Sequence, residues 1–358
     1  MPESTRSSQT DAHLWAVILA GGVGSRFWPV STPARPKQLL PLAGPDPLIV
    51  QTLARIRPLV PLSRTRILTG TALAGPILQV APELDRTHLL LEPAARGTAP
   101  VLVWAAHTIA AEDPAAIMLS LHSDHVIEPA AGFRDALARA AALSQLHGRL
   151  FTLGAAPTRA ETGYGYIAPG AALDDAGTAS EVARFVEKPD AATAQRFIDD
   201  GFLWNTGIFI WPAALLLEQV RRHTPELAGL LPLLDAGDVE SFFERAPALS
   251  IDEGLLERSD AVGVLRAEFA WDDVGAWDAV GRTRERDSSG NVGEGDAHFV
   301  DARDCIAWAD DGSVVVFGVA DLVVVRTRGM TFVAPRDRAA DLKQMLRQLP
   351  ERLVTGEE

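Results

Sequence analysis

Among the 33 basic residues of this 358-residue chain, only Lys37, Lys188 and Lys343 are lysines. Where arginine is the default cation, a lysine marks a place that needs a compact point charge rather than a wide planar fork. Lys37 closes a stretch that opens with Gly21-Gly22-Val23-Gly24-Ser25-Arg26, just after the apolar run Leu14–Ala20. Glycines at 21, 22 and 24 let the backbone turn sharply and bring bare N–H groups against a ligand. With Arg26 and Lys37 they make a cradle for a polyphosphate. Two familiar glycine loops do not fit. A Walker loop ends in Gly-Lys-Ser/Thr, whereas Ser25-Arg26 follows the last glycine here; a dinucleotide fingerprint needs a third glycine where Phe27 stands. Tyrosine and asparagine are as scarce as lysine, at Tyr164, Tyr166, Asn205 and Asn291. Five of these seven rare residues fall inside the motifs below.

Three further groups carry chemistry or imitate it. Asp124, in His122-Ser123-Asp124-His125, follows the buried strand Ile117–Leu121. A carboxylate at the end of a central strand faces the same crevice as the glycine loop, and magnesium takes one or two carboxylates with phosphate oxygens and water. His122 and His125 suggest zinc, but no cysteine or further histidine completes a tetrahedral set; an aspartate there also serves as a turn cap. Glu187-Lys188 stands before Pro189 at the end of a strand. Neighbours on a strand point to opposite faces, so both serve one ligand only across a twist or bulge; otherwise they are a surface ion pair. Ser250-Ile251-Asp252-Glu253 reads as a capping box from Ser250 to Glu253, which leaves Asp252 a structural role.

The elements that must position these residues alternate. Leu14–Ala20 is a strand buried on both faces. A helix over 47–60, strands at Ile67–Thr69 and Leu89–Leu91, a helix from Pro100 to Ala111, the strand Ile117–Leu121 and a helix from Phe133 to Leu146 follow. Such alternation predicts a parallel sheet with helices on both faces, binding ligands at the carboxyl ends of its strands. After Asp287 the chain turns to short, evenly spaced strands, read as a small β-solenoid, before a last helix over Asp337–Leu349. The expected organisation is a disordered tail over 1–12, a catalytic domain over 13–286 and a small β-domain over 287–358. A net charge of −14 argues against nucleic acid or an anionic membrane as partner. A single cysteine, Cys305, suits a reducing cytoplasm. No apolar run approaches the roughly 18 residues of a membrane helix, and the polar N-terminus does not read as a signal peptide.

The block from Trp15 to Lys37 resembles the N-terminal signature of sugar nucleotidylyltransferases. Trp28-Pro29 and Pro36-Lys37-Gln38 are similar to the mannose-1-phosphate guanylyltransferase branch. The resemblance continues through Glu92–Pro100, where Gly97 replaces the usual Asn, and through Ser123-Asp124-His125, with His122 a small departure. It then takes in Thr162–Ile167, Phe185–Pro189, Leu203–Phe209 and Phe269–Trp277, where Asp272 stands in place of a frequent Ser. It implies a Rossmann-like, GT-A-like mixed sheet with helices on both faces, followed by a left-handed β-helix used in dimer contacts. Bifunctional relatives append a mannose-phosphate isomerase cupin, for which the residues after 286 leave no room, so a single activity is expected. That activity is metal-assisted, in-line transfer from GTP to α-D-mannose 1-phosphate, giving GDP-mannose and diphosphate.

By the same resemblance, magnesium (or manganese) sits on Asp124 and Asp273, Lys37 meets the phosphates around the reacting phosphorus, and Arg26 with the loop amides holds the outer phosphates. Leu19, Gly21, Gly22, Gly24, Ser25, Glu92, Arg96 and Thr98 complete the nucleotide site with Arg26 and Asp124. Tyr164, Gly165, Glu187, Lys188 and Asn205 hold the sugar phosphate, with Asn205 expected to offer both a donor and an acceptor to a hydroxyl pair. A homodimer is expected, with neither nucleic acid nor membrane as partner. A heptose- or glucose-1-phosphate enzyme would keep the same loop. A non-catalytic sugar-nucleotide regulator would lose Lys37 or one of the paired aspartates, and neither is lost.

Overall fold

The computed structural model describes residues 12–22 and 24–355. The tail expected over 1–12 falls, except for Ala12, outside them. Strand β1 (Leu14–Leu19) explains why the sheet forms where it does. Leu14, Ala16 and Ile18 enter the core on one face, and Trp15 and Val17 enter the core on the other. Such a strand has no solvent face and must sit centrally. It pairs in parallel with β2 (Thr65–Gly70) and β4 (Ile117–His122), and β2 pairs in parallel with β3 (Leu89–Glu92).

The remaining strands of the sheet are β6 (Leu150–Ala155), β7 (Tyr166–Ala172), β8 (Ala179–Val186), β9 (Leu203–Pro212) and β10 (Val262–Arg266), in the order β3-β2-β1-β4-β9-β6-β10-β8-β7. The parallel expectation holds for the first four strands. Strand β9 then runs antiparallel between β4 and β6, which makes the sheet mixed. Helices 48–56, 71–80 and 130–147 cover one face through Leu53, Ile77 and Leu137. Helices 98–112 and 213–223 cover the other through Leu102, Ile109 and Leu216. The 71–80 helix has no counterpart in the sequence pattern: it is short, contains Pro76 and has no clear polar stripe.

The chain leaves β1 for β2 and β3 on one side and returns to β4 on the other. A crevice therefore opens at the carboxyl ends of β1 and β4, between Gly21 and His122. A separate ribbon crosses it. Strand β5 (Val126–Glu128) pairs antiparallel with β11 (Ala270–Asp272), with Asp272 opposite Val126. That register carries Asp273, distant in sequence, to the segment that holds Asp124.

Strands β12 (Val292–Val300), β13 (Ile306–Phe317) and β14 (Leu322–Thr327) are parallel neighbours, and β15 (Met330–Pro335) closes the sheet antiparallel to β14. Parallel strands in a flat sheet need a crossover of a dozen residues or more. Here the links are short because β12 and β13 bend midway, where their register shifts at Gly295/Asp296. Gly295 has φ 70°, and a Cβ there would lie 2.0 Å from the Ala309 carbonyl oxygen. The strands thus wrap as coils of a solenoid, as the texture after Asp287 suggested.

The two parts share a core. Phe27, Trp28 and Leu40, from the segment around Lys37, pack with Trp277 and Val280 and with Ile306, Trp308 and Val325 of the β-domain. Trp308 is fully buried with its ring edge-on to Trp277 at 5.6 Å. Replacing it by Ala leaves a cavity in this shared core, and Trp308→Ala is expected to lower unfolding stability by about 3–5 kcal/mol. Denaturant unfolding checks this; a change below about 1 kcal/mol would mean the shared core does not tie the parts together.

Candidate active site

Lys37 is 7% exposed. Its Nζ donates to Asp124 Oδ2 at 2.8 Å and to the main-chain carbonyl of Asp273 at 2.5 Å. Glycine at 24 makes this possible: the residue has φ 66°, and a Cβ on it would lie 2.2 Å from the Cβ of Lys37. Gly24 thus makes room for the lysine, while Gly21 and Gly22 face the crevice. Gln38 Nε2 donates to the Ala20 carbonyl at 3.0 Å and folds the segment back over the end of β1. Arg284 holds the next residues from the far side, donating to the carbonyls of Leu42 (2.8 Å), Gly44 (3.2 Å) and Pro41.

Burial pushes the Asp124 carboxyl upward, but Lys37, His125 and His122 outweigh it and bring it to about 2. Asp273 moves the other way. Burial raises it, and neither Lys37 nor the hydrogen bond from Tyr164 fully offsets that. The Tyr164 hydroxyl donates to Asp273 Oδ1 at 2.5 Å, and burial and the Asp273 charge keep the phenol protonated. The adjacent Asp272 is committed elsewhere. Its Oδ1 accepts the Val274 N–H at 2.8 Å and its Oδ2 accepts from Arg282 Nε at 2.8 Å. Val274, at φ 48°, makes the turn that sends these neighbouring carboxylates in different directions.

His122, Asp124 and His125 have ligand atoms within 4.8 Å of one another, close enough to hold a divalent ion. His125 Nδ1, however, already accepts from Trp271 Nε1 at 3.1 Å, and the two imidazoles stack at 4.5 Å. A fourth ligand for zinc is missing among the described residues. Asp273, the other expected ligand, is not among these three: its main-chain carbonyl meets Lys37 and its carboxylate accepts from Tyr164.

Three cavities meet here. One of about 330 Å³ is lined by Leu19, Gly21, Gly22, Glu92, Thr98 and Asp124, all expected for the nucleotide, and also by Gln38, Gly97, His122 and Ser123. A second, of about 210 Å³, is lined by Tyr164, Gly165, Glu187 and Asn205, expected for the sugar, and by His122, Trp271 and Asp252. A wide cleft of about 1330 Å³ runs to the β-domain and receives Arg26, Arg159, Lys188 and Arg282. Leu19, Thr98 and His122 line both smaller cavities, and Asp273 lines the second cavity and the cleft.

Some expected residues stand apart. Gly24 and Ser25 shape the loop, with Ser25 opening the 3-10 turn Ser25–Phe27. Arg96 donates to the main-chain carbonyls of Phe243 (2.9 Å) and Glu244 (3.2 Å), so it anchors its loop and does not face the cavity. Gly97 has φ 81°, and a Cβ there would lie 2.5 Å from the Leu249 carbonyl oxygen. The backbone is packed so closely that the family's Asn has no room at this position. The twist required at Glu187-Lys188 is present: β8 has ended, Lys188 has φ 45°, and its N–H donates to the Tyr164 carbonyl at 3.2 Å. Lys188 Nζ lies 2.5 Å from Glu187 Oε1 with its side chain 62% exposed. A Cβ on Gly165 would lie 2.6 Å from Glu187 Oε2, so a side chain there would displace the Glu187 carboxylate.

Two expectations change. Asn205 does not offer an acceptor, because its Oδ1 already accepts from Thr152 Oγ1 (3.0 Å) and the Gly207 N–H (3.3 Å). Asp252 is the second: Ser250 and Glu253 do pair as a cap, and the Asp252 side chain faces the smaller cavity instead of serving that cap.

Because Asp272 is committed to Val274 and Arg282 while the Asp273 carboxylate lines the cavities, Asp273→Asn is expected to cut turnover on the order of a hundredfold or more, several kcal/mol of charge stabilisation. Asp272→Asn keeps an acceptor for Val274 and is expected to cost mainly stability, about 1 kcal/mol. Steady-state assays of both variants decide; an inactive Asp272→Asn beside a normal Asp273→Asn would reverse the assignment.

The nucleotidyl transferase family matches residues 15–289, and the MannoseP isomerase/GMP-like beta-helix domain matches residues 295–349. The chain is 35% identical over 350 residues to the alginate biosynthesis protein AlgA of Pseudomonas aeruginosa, covering 93% of this chain and 71% of that protein. It is 34% identical over 353 residues to a mannose-1-phosphate guanylyltransferase of Klebsiella pneumoniae, covering 94% and 74%. A solved structure from Thermus thermophilus, described as a mannose-1-phosphate geranyltransferase, matches at a TM-score of 0.86 and 35% identity over 94% of this chain and 99% of its own. The glycine loop, Lys37 and both strand-end aspartates lie inside the matched range, and the chain belongs to the nucleotidyl transferase family.

Proposed function

We propose that this protein transfers the guanylyl group of GTP to α-D-mannose 1-phosphate, giving GDP-mannose and diphosphate. The observation that carries this reading is the position of Lys37 between Asp124 and Asp273, where a nucleotide-sized cavity meets a smaller one walled by Glu187, Asn205 and Asp252. The guanylyltransferase name of the Klebsiella pneumoniae relative supports the choice of substrates.

The nucleophile needs little activation. A sugar phosphate has its second pKa at about 6 and is mostly dianionic at neutral pH. No general base is required, and the task is to bring two polyanions together and hold them in line. Lys37 supplies a buried positive charge at the junction, and Tyr164 fixes the Asp273 carboxylate by its hydrogen bond. A magnesium ion, or manganese, held by Asp124 and Asp273 would supply further charge to the phosphate oxygens. Arg26 lies in the open cleft, where the leaving diphosphate can depart. Glu92, raised by burial, is an acceptor in the nucleotide cavity. Guanine offers N–H donors to such a group, whereas adenine's matching ring nitrogen is an acceptor.

On the β-domain, Val315 and Phe317 are 65% and 67% exposed, with the exposed Val300 paired across from Phe317. We assign this apolar stripe to a homodimer contact, and Phe317→Asp is expected to shift sedimentation from dimer to monomer; an unchanged dimer would place the contact elsewhere. The division at 286/287 and residence in the cytoplasm belong to the same reading; among the described residues no helix is long and apolar enough to cross a membrane.

Diphosphate release measured over a grid of nucleoside triphosphates and sugar 1-phosphates tests the function. GTP with mannose 1-phosphate should be used best, and equal use of ATP and GTP would contradict the guanylyl assignment. Lys188→Arg is expected to lose about ten- to a hundred-and-fifty-fold in efficiency toward the sugar phosphate, the weight of a charged hydrogen bond, with GTP affinity near normal. Varying each substrate in turn checks this, and unchanged kinetics would leave Lys188 as a surface partner of Glu187.

A further inference from the structure

Asp252 opens the π-helical turn Asp252–Leu256, a kind of helical irregularity frequent at functional sites. The local fold does not need its carboxylate for capping. Ser250 Oγ accepts the Glu253 N–H at 3.1 Å, and the Ser250 and Glu253 side chains meet at 3.0 Å. The Asp252 side chain turns instead into the 210 Å³ cavity beside Glu187, Asn205 and Gly165. There its Oδ1 accepts from Asn205 Nδ2 at 2.9 Å.

The Asn205 amide can point only one way. Its Oδ1 accepts the Gly207 N–H and lies 3.0 Å from Thr152 Oγ1, so its Nδ2 faces Asp252 and keeps a second N–H to give. The cavity therefore has a donor in Asn205 but needs its acceptors from elsewhere. Glu187 and Asp252 supply carboxylate acceptors there, with Asp273 a third in the same lining. Burial first, and then the negative charge of Glu187, raise the Asp252 carboxyl to about 7, with Lys188 only partly offsetting them. A perturbed carboxylate in a cleft is a mark of functional sites.

We propose that Asp252 reads a hydroxyl of the hexose: its carboxylate accepts the hydroxyl hydrogen while the second N–H of Asn205 donates to the same oxygen, and Glu187 accepts from another hydroxyl. Asp252 is thus a specificity-determining residue of the sugar pocket, and this rests on the reading of that cavity given above. Sites that hydrogen-bond a hydroxyl reject analogues lacking it strongly, because the buried polar groups are left unpaired.

The experiment compares wild type, Asp252→Ala and Asp252→Asn on mannose 1-phosphate and on analogues lacking one ring hydroxyl at a time, with thermal unfolding of each at mildly alkaline pH. Asp252→Ala is expected to raise KM for mannose 1-phosphate about ten- to a hundredfold while KM for GTP stays within about twofold. With one deoxy analogue, wild type and Asp252→Ala should become equally efficient, because the hydroxyl they differ over is gone. Asp252→Asn should unfold at the same temperature as wild type or above it. Loss by the same factor with every analogue, or a fall in Tm with both KM values rising together, would overturn the assignment and return Asp252 to a structural role. Wild type that uses no hexose 1-phosphate would overturn the reading of the cavity itself, whereas wild type that uses it with Asp252→Ala unaffected would overturn only the role of Asp252.

Discussion

A buried ammonium between two acidic segments governs this structure. Lys37 Nζ touches Asp124 Oδ2 and the carbonyl of Asp273, and it is nearly out of solvent. Desolvating such a charge costs several kcal/mol, and removing one partner from a buried pair leaves the other charge uncompensated. The surroundings are arranged to keep all three groups together. Gly24 leaves room for the lysine side chain, Gln38 ties its segment to the end of β1, and the β5–β11 ribbon delivers Asp273 from the far end of the catalytic part. An arginine fork is too wide for a slot set by a Cβ contact of this kind.

The same constraint explains why the β-domain is joined to the rest by a core rather than by a linker. The segment that carries Lys37 is otherwise a loop with short 3-10 turns, a weak support for a buried charge. Trp277 Nε1 donates to the Trp28 carbonyl at 3.1 Å, and Arg284 grips the residues after Lys37 while pairing with Glu294 of the solenoid. Asp278 bridges Arg282, which holds Asp272, to Arg336 beyond the solenoid strands. The segments that carry Lys37 and Asp273 are thus supported from the C-terminal part. A chain with net charge −14 can still handle polyanions, because Arg26, Arg159, Lys188 and Arg282 converge on one cleft beside Lys37.

Much of this was legible in the sequence because its physics is local. Leu14–Leu19 reads as a two-faced strand since every residue is apolar, and Asp124 reads as a strand-end carboxylate since the buried strand Ile117–Leu121 stops just before it. Lysine in an arginine-rich chain pointed to Lys37, which is buried against Asp124, and to Lys188, which pairs with Glu187 at the surface. The twist demanded at Glu187-Lys188 appears as φ 45° at Lys188. What stayed hidden depends on distant partners. Asp272 and Asp273 differ only in that Arg282 and Val274 claim one of them. Arg96 looks like a nucleotide ligand until the carbonyls of Phe243 and Glu244 take its guanidinium. Asn205 Oδ1 is turned to Thr152, from a neighbouring strand, and to the Gly207 N–H, which leaves its Nδ2 facing Asp252. Gly97 is a departure with a cause: the Leu249 carbonyl occupies the space of a side chain.

The central claim is a single in-line displacement at the α-phosphorus of GTP, with the sugar phosphate as nucleophile and no covalent intermediate on the protein. The most direct test is the stereochemical course with chiral GTPαS and mannose 1-phosphate, read by phosphorus NMR of the thio-substituted sugar nucleotide. One displacement inverts the configuration at that phosphorus, and inversion is the predicted result. Retention, which requires two successive displacements through a protein nucleophile, would contradict the account.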